Sequence, residues 1–284
     1  MTVRQWKLAR RALEYGERTL LMGVLNVTPD SFSDGGQFFS FDQAIAHAEQ
    51  MIGEGADLID IGGESTRPGS EFVSEAEELR RVIPIIQQLA ARGSVPISID
   101  TTKPQVSRAA LEAGAEIVND ISGLRFEPSL ADEVTNAKAG LVLMHSRGTP
   151  KNMQQLPPAK DIMKEVIEGL SQSLAVAGQR GVDRESIAID PGIGFGKTVE
   201  QNLELIAKLD QIAAAFPDMP IMIGTSRKSF IGKLLDGATA DKRLNGTIAS
   251  TVAAVLKGAH IVRVHDVKAT VEALRLADAL NRIN

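Results

Sequence analysis

One recurring pattern constrains the fold of this chain more than any other. Residues 54–60 read EGADLID, 113–120 read AGAEIVND, 257–264 read KGAHIVRV, and a weaker copy, KAGLVLM, lies at 138–144. In each, a glycine suited to the left-handed end of a helix sits at the entry to a short β-branched or Leu-rich run. Runs that are apolar on both faces are what the strands of a covered parallel sheet require. The opposite junction repeats too. Ser40…Gln43, Ser74…Glu77, Thr102…Gln105 and Thr198…Gln201 all have capping-box spacing ahead of amphipathic stretches.

Strands are therefore expected near 19–25, 58–61, 96–100, 117–120, 141–144, 187–190, 221–224 and 261–264. Helical patterns fill the gaps at 41–53, 75–91, 103–113, 129–138, 160–180, 199–215, 228–257 (broken around Gly237) and 267–282, with Pro84 kinking the second. Eight strand–helix units predict an α/β fold, a (β/α)8 TIM barrel spanning residues 1–284 as one domain, with residues 1–18 capping its N-terminal mouth. The alternative is an open doubly wound sheet with its ligand at one switch point. The long polar loops 26–40, 62–74 and 145–159 follow strands 1, 2 and 5, on the side where barrel active sites form.

Composition narrows the function classes. The chain has no cysteine, which removes disulfides, thiolate catalysis and Cys-ligated zinc or iron–sulfur sites. Its 31 Lys and Arg against 36 Asp and Glu give a net charge of −5 without a basic block, so neither nucleic acid nor membrane is an expected partner. No apolar run approaches roughly 18 residues. The start MTVRQWKLAR lacks a signal-peptide core, and a soluble, cytoplasmic protein is expected.

The C-terminal ends of the expected strands carry Asn26, Thr66 with Arg67, Asp100, Asn119, His145, Asp190, Ser226–Arg227–Lys228, and Arg263 with His265. Two chemical groups emerge. Arg67, Arg263 and His265 are cationic, and Arg forks match phosphate bidentately. Asn26 adds a neutral oxygen suited to Mg²⁺, so this group suits a polyphosphate. Asp100, Asn119, Asp190 and Lys228, near Met144 and Phe195, suit a flat heterocycle rich in donors and acceptors, such as guanine or a pterin. A general acid–base role for the two aspartates is an equally open reading of the same residues. DPGIGFGKT (190–198) ends like a phosphate-binding loop, but Pro191 stands where that motif needs glycine, so the segment reads as a tight turn and helix cap. GTSRKSF (224–230) would open a helix whose N–H groups favour an anion. His47, His260, Trp6 and Tyr15 read as packing residues.

Taken together, NVTPDSFSDGG (26–36), GGESTRPG (62–69), SIDTTKP (98–104), NDISG (119–123), MHSRGTPKNMQ (144–154), DPGIGFGKT (190–198), GTSRKSF (224–230) and VRVHDV (262–267) resemble the dihydropteroate synthase family, in the family's order. The resemblance implies a homodimeric barrel enzyme of bacterial folate synthesis, a transferase that joins 6-hydroxymethyl-7,8-dihydropterin pyrophosphate to p-aminobenzoate. It implies that Asp100, Asn119, Ile121, Met144, Asp190, Phe195, Gly224 and Lys228 hold the pterin. Thr66, Arg67, Arg263 and His265 would hold the pyrophosphate, with Asn26 as the protein's ligand to Mg²⁺. Phe32, Pro68, Lys228 and Ser229 would form the p-aminobenzoate site, and Asp34 would serve closure of the 26–40 loop. The family is a sulfonamide target, and the response depends on shape near Phe32 and Pro68. Two other readings stay open: a pterin-dependent methyltransferase, which has no pyrophosphate to hold, and a catalytically silent pterin-binding homologue.

Overall fold

The computed structural model describes residues 3–28, 41–66 and 69–283. An antiparallel hairpin, β1 (Arg4–Lys7) and β2 (Ala12–Tyr15), comes first. Eight parallel strands follow: β3 (Leu20–Asn26), β4 (Leu58–Gly62), β5 (Ile97–Asp100), β6 (Ile117–Asp120), β7 (Gly140–Met144), β8 (Ile187–Asp190), β9 (Met222–Ile223) and β10 (Ile261–Val264). They pair in the order β8-β7-β6-β5-β4-β3-β10-β9. A parallel bridge between Ile189 and Ile221, with Ile189 N–H donating to Pro220 O at 3.0 Å, joins the two ends. This is the (β/α)8 barrel, and the ring closure rules out the open doubly wound sheet, which would leave β8 and β9 as edges.

Strand side chains alternate between faces, and the pairing register sorts them. Leu20, Met22, Leu58, Ile117, Val142, Ala188, Met222 and Ile261 fill the lower interior, where they pack with Trp6, Leu8 and Tyr15 of the hairpin segment. Trp6 Nε1 donates to Ser186 O at 2.8 Å, and the Tyr15 hydroxyl donates to Asp218 O at 3.2 Å. The hairpin thus closes the N-terminal end of the barrel and leaves the opposite mouth to polar residues. The other parity, including Leu21, Ile59, Ile99, Val118, Leu141, Ile189 and Val262, faces outward into the core shared with the helices.

Those helices are α1 (Phe41–Glu54), α2 (Glu75–Ala90), α3 (Pro104–Ala113), α4 (Leu130–Ala137), α5 (Ile162–Gln179), α6 (Val199–Ala207), α7 (Leu209–Ala215), α8 (Ser229–Leu234), α9 (Leu244–Val255) and α10 (Val267–Asn281). Three details differ from the sequence expectation. The 199–215 pattern is broken at Lys208 into α6 and α7. The 228–257 pattern divides more widely than a break at Gly237, into α8 and α9. The third helix has Lys103, not Thr102, at its N-cap position and no side-chain capping bond, because Pro104 at the first helical position holds its predecessor extended. Ser74 and Thr198 do cap their helices through the backbone N–H groups of Glu77 and Gln201, while Ser40 lies outside the described residues. No helix among the described residues is long and apolar enough to cross a membrane.

Candidate active site at the barrel mouth

Asn26, Gly62, Asp100 and Asn119 are register neighbours across β3, β4, β5 and β6, as are Met144 and Asp190 across β7 and β8. They share the interior parity, so the pleat that packs the barrel floor also aims these groups into its mouth. Gly62 carries no side chain at the centre of this row. A Cβ there would lie 3.5 Å from Asn26 Oδ1 and 3.9 Å from Asp100 Oδ2, so the missing side chain leaves both groups facing one gap.

Arg263 is the centre of the arrangement. Its Nε donates to Asp60 Oδ2 at 2.6 Å and its Nη2 to Asp100 Oδ2 at 2.7 Å, and Asn119 Nδ2 donates to the same Asp60 oxygen at 3.0 Å. The sequence suggested two separate groups, a cationic one and a carboxylate one; the structure locks them into a single network through Arg263. Burial works against the guanidinium's charge, and Asp60 and Asp100 more than offset it, holding Arg263 above its ordinary range. Burial pushes the Asp100 carboxyl up to about 7; Arg263 opposes that shift and Asp60 adds to it. Asp60 Oδ1, Asp100 Oδ1 and Asn119 Oδ1 are buried acceptors without a hydrogen-bond partner.

Across the mouth, Asp190 is raised by burial, with Lys228 pulling it back, and its Oδ1 accepts from Gly192 N–H at 2.6 Å. Burial lowers Lys228 to about 8. Its ammonium donates to Ile193 O and stands 4.6 Å from the Phe195 ring centroid, a cation–π contact. The 190–198 turn is braced from inside. Buried Lys197 donates to the carbonyls of Gly192 (2.8 Å), Phe195 (3.1 Å) and His145 (3.3 Å). Its amine is committed to shaping the turn, in keeping with rejection of a phosphate-binding loop. Gly192 is required there: its φ is +70°, and a Cβ would run into His145 O.

The remaining expected residues fall around this network. Ile121 and Met144 are buried beside it, and Gly224 follows β9 with its Cα side toward Arg263 and Lys228. His265 Nδ1 lies 3.0 Å from Ser226 Oγ. Ser229 is exposed at the first turn of α8, directly after Lys228. Thr66 borders a cavity of about 1010 Å³ shared with Asp100, Lys103, Ile121 and Phe126. Arg227, by contrast, has φ +57° and pairs outward with Asp266 at 2.6 Å. His145 is buried against Gly169 and burial drives it down to about 2, so it is a neutral packing group. Phe32, Asp34, Arg67 and Pro68 lie outside the described residues.

A family model described as "Pterin binding enzyme" matches residues 22–265, which include every strand of the barrel except the first two residues of β3. Dihydropteroate synthase of Synechocystis is 50% identical over 269 residues, covering 95% of this chain and 92% of the relative. The chain belongs to the dihydropteroate synthase family. Among solved structures of dihydropteroate synthases, the Yersinia pestis enzyme with a sulfonamide drug complex has a TM-score of 0.92 at 41% identity, covering 98% of this chain and 100% of that one. The Burkholderia cenocepacia enzyme complexed with 7,8-dihydropteroate has a TM-score of 0.88 at 42% identity, covering 100% and 99%. These matches support synthase over the methyltransferase and silent-homologue readings.

For a member of the dihydropteroate synthase family, sequence reading passed over two buried ionisable groups that organise the mouth. Asp60 shares the parity of Gly62 and Asn26, and an acid on the inward face of an apolar strand was the available signal. Lys197 carries none, since only the folded turn shows its three carbonyl partners.

Proposed function

We propose that this chain joins 6-hydroxymethyl-7,8-dihydropterin pyrophosphate to p-aminobenzoate, releasing pyrophosphate and forming 7,8-dihydropteroate. The observation that carries this reading is the set of unpartnered buried acceptors on Asp60, Asp100 and Asn119 at the mouth of a barrel whose relatives are dihydropteroate synthases. Such atoms are costly when left unpaired, and a pterin edge offers ring N–H and amino donors to satisfy them. Asp190 and Lys228 would complete the ring's recognition, with Ile121, Met144, Phe195 and Gly224 around it.

In the proposed reaction the bond between the pterin's exocyclic carbon and the pyrophosphate oxygen breaks, and its electron pair leaves with pyrophosphate. The nitrogen lone pair of p-aminobenzoate then forms the new C–N bond, and the ammonium formed loses its proton. Arg263, held rigid by two carboxylates, would stabilise the departing anion together with Thr66, Arg67 and His265. Asp100 and Asp190 would face the cationic pterin. An arylamine is already nucleophilic near neutral pH, so positioning and charge stabilisation suffice without a strong base. Phe32, Pro68, Lys228 and Ser229 would seat p-aminobenzoate, and Asp34 would serve loop closure.

Among the described residues no group of three or more His, Cys, Asp or Glu side chains could cage a metal, and Asn26 offers one neutral oxygen. That sparse donor set fits Mg²⁺, which keeps several waters and binds through substrate phosphates. Asn26 would hold the ion, which when bound would neutralise pyrophosphate charge. A homodimer and a cytoplasmic location complete the reading. Exposed leucines on two helices in contact, Leu203 on α6 and Leu234 on α8, support the dimer as part of a surface a second copy would cover. Sulfonamides would compete with p-aminobenzoate.

The test is to incubate purified protein with both substrates and Mg²⁺ and to quantify both products. At saturating p-aminobenzoate, one dihydropteroate per pyrophosphate supports the reading; folded protein that binds the pterin but forms neither product overturns it in favour of the silent homologue.

A further inference from the structure

The loop between β4 and α2, which carries Thr66, has both of its ends tied to one buried ammonium. Lys103 Nζ donates to Glu64 Oε2 at 2.5 Å, to Glu78 Oε2 at 2.5 Å and to the carbonyl of Val73 at 2.8 Å. An ammonium has three N–H donors, so this one is saturated. Glu64 stands two residues before Thr66, Val73 directly precedes the cap of α2, and Glu78 lies on α2 itself. The other Glu64 oxygen accepts from Val73 N–H at 3.3 Å, which closes a ring across the loop's stem. Ser70 Oγ adds a bond to Ser65 O at 2.5 Å, and Arg81 one to Gly63 O at 2.8 Å.

The clasp is buried: the Lys103 side chain is 8% exposed and that of Glu78 1%. Phe72, itself 77% exposed, covers the ammonium with its ring centroid 4.6 Å away. In such surroundings charge-assisted hydrogen bonds are stronger than at a wet surface, and they fix geometry. Neutralising Glu78 would need one bond. The other two reach opposite ends of the same loop, and Lys103 itself stands three residues beyond Asp100, at the end of β5. The ammonium therefore ties the strand end that presents Asp100 to the loop that presents Thr66.

We infer that Lys103 is a positioning residue, which fixes the entry and exit of the β4–α2 loop and thereby sets affinity for both p-aminobenzoate and the pyrophosphate that Thr66 faces, without touching substrate. This rests on the assignment of that loop to the p-aminobenzoate and pyrophosphate side, proposed above.

The test uses two full-length variants. Glu64→Gln keeps an acceptor but removes the charge at the loop's entry. Lys103→Met combined with Glu78→Leu removes the ammonium without stranding a buried carboxylate. Both should raise KM for p-aminobenzoate at least fivefold, raise the Kd of the pterin pyrophosphate at least threefold, and speed amide hydrogen exchange at residues 64–66 and 69–73 at least tenfold. A folded double variant with wild-type KM and wild-type exchange would overturn the inference. Should that variant not fold, the same two readouts on Glu64→Gln decide. Exchange is measured without turnover, so faster exchange in a protein that makes no dihydropteroate would uphold the clasp and reject the proposed reaction instead.

Discussion

Asp60 and Asp100 take two different nitrogens of one guanidinium, Arg263 Nε for the first and Nη2 for the second, at 2.6 and 2.7 Å. Two carboxylates thus share a single cation inside the barrel, and each keeps one oxygen without a partner. The network is under-satisfied as it stands, which is what a site built to receive a donor-rich ligand looks like.

Asp60 holds Arg263 and Asn119 through one oxygen and leaves the other, Oδ1, to accept from the pterin. Asp60→Asn should weaken binding of the pterin pyrophosphate about tenfold or more, since hydrogen bonds to charged groups contribute roughly 1.5–3 kcal/mol. KM for p-aminobenzoate should stay within about twofold on the same account, because that substrate is placed by other residues. Equilibrium titration of the pterin substrate, paired with steady-state kinetics, checks both; unchanged pterin affinity would show that Asp60 is only a core group.

Arg263→Ala removes the shared cation and leaves two buried carboxylates facing each other. Turnover should fall at least tenfold, the scale expected for loss of one preorganised stabilising group. Stability should fall by about 3–5 kcal/mol, as when one partner of a buried pair is removed. Arg263→Lys should rescue poorly, because an ammonium cannot span the fork that reaches both acids. Near-normal turnover of Arg263→Ala at saturating substrates would refute the pyrophosphate role.

The raised Asp100 and lowered Lys228 give a sign to pH dependence. Pterin binding needs Asp100 ionised, so kcat/KM for the pterin substrate should fall as pH drops below about 7. It needs Lys228 charged, so the same quantity should fall above about 8. For folding the Asp100 sign is reversed. Its carboxyl is raised from 3.8, so its contribution to stability is full below that value and is lost as pH rises through about 7. Asp100→Asn should abolish the acid limb of the kinetic profile; an acid limb that survives in this variant would assign it to another group.

Much of the fold was legible because local signals repeated. Glycine exits, capping residues and short apolar runs place all eight barrel strands to within a residue or two. Thr102 was expected to cap the third helix although Pro104 pointed to its neighbour Lys103, since proline favours the first helical turn. The break at Lys208 has no glycine or proline to mark it, so local chemistry could not reveal it. At the site, motif and strand-end position singled out Asp100, Asn119, Asp190 and Arg263, yet not their joining. That joining depends on register: Asp60 and Gly62 share a face of β4, and the reading of 58–61 as uniformly apolar hid it. Arg227 and Lys228 are adjacent, and only the left-handed backbone at Arg227 sends one to Asp266 and the other to the mouth. Such divergence belongs to tertiary structure.

The most direct measurement is pyrophosphate release from the pterin substrate with Mg²⁺ present and p-aminobenzoate absent. Charge stabilisation without a base predicts Mg²⁺-dependent release under these conditions, water capturing the pterin cation, with dihydropteroate forming only once p-aminobenzoate is added. Release that strictly requires p-aminobenzoate would contradict ionisation ahead of attack and place the amine in the rate-limiting displacement.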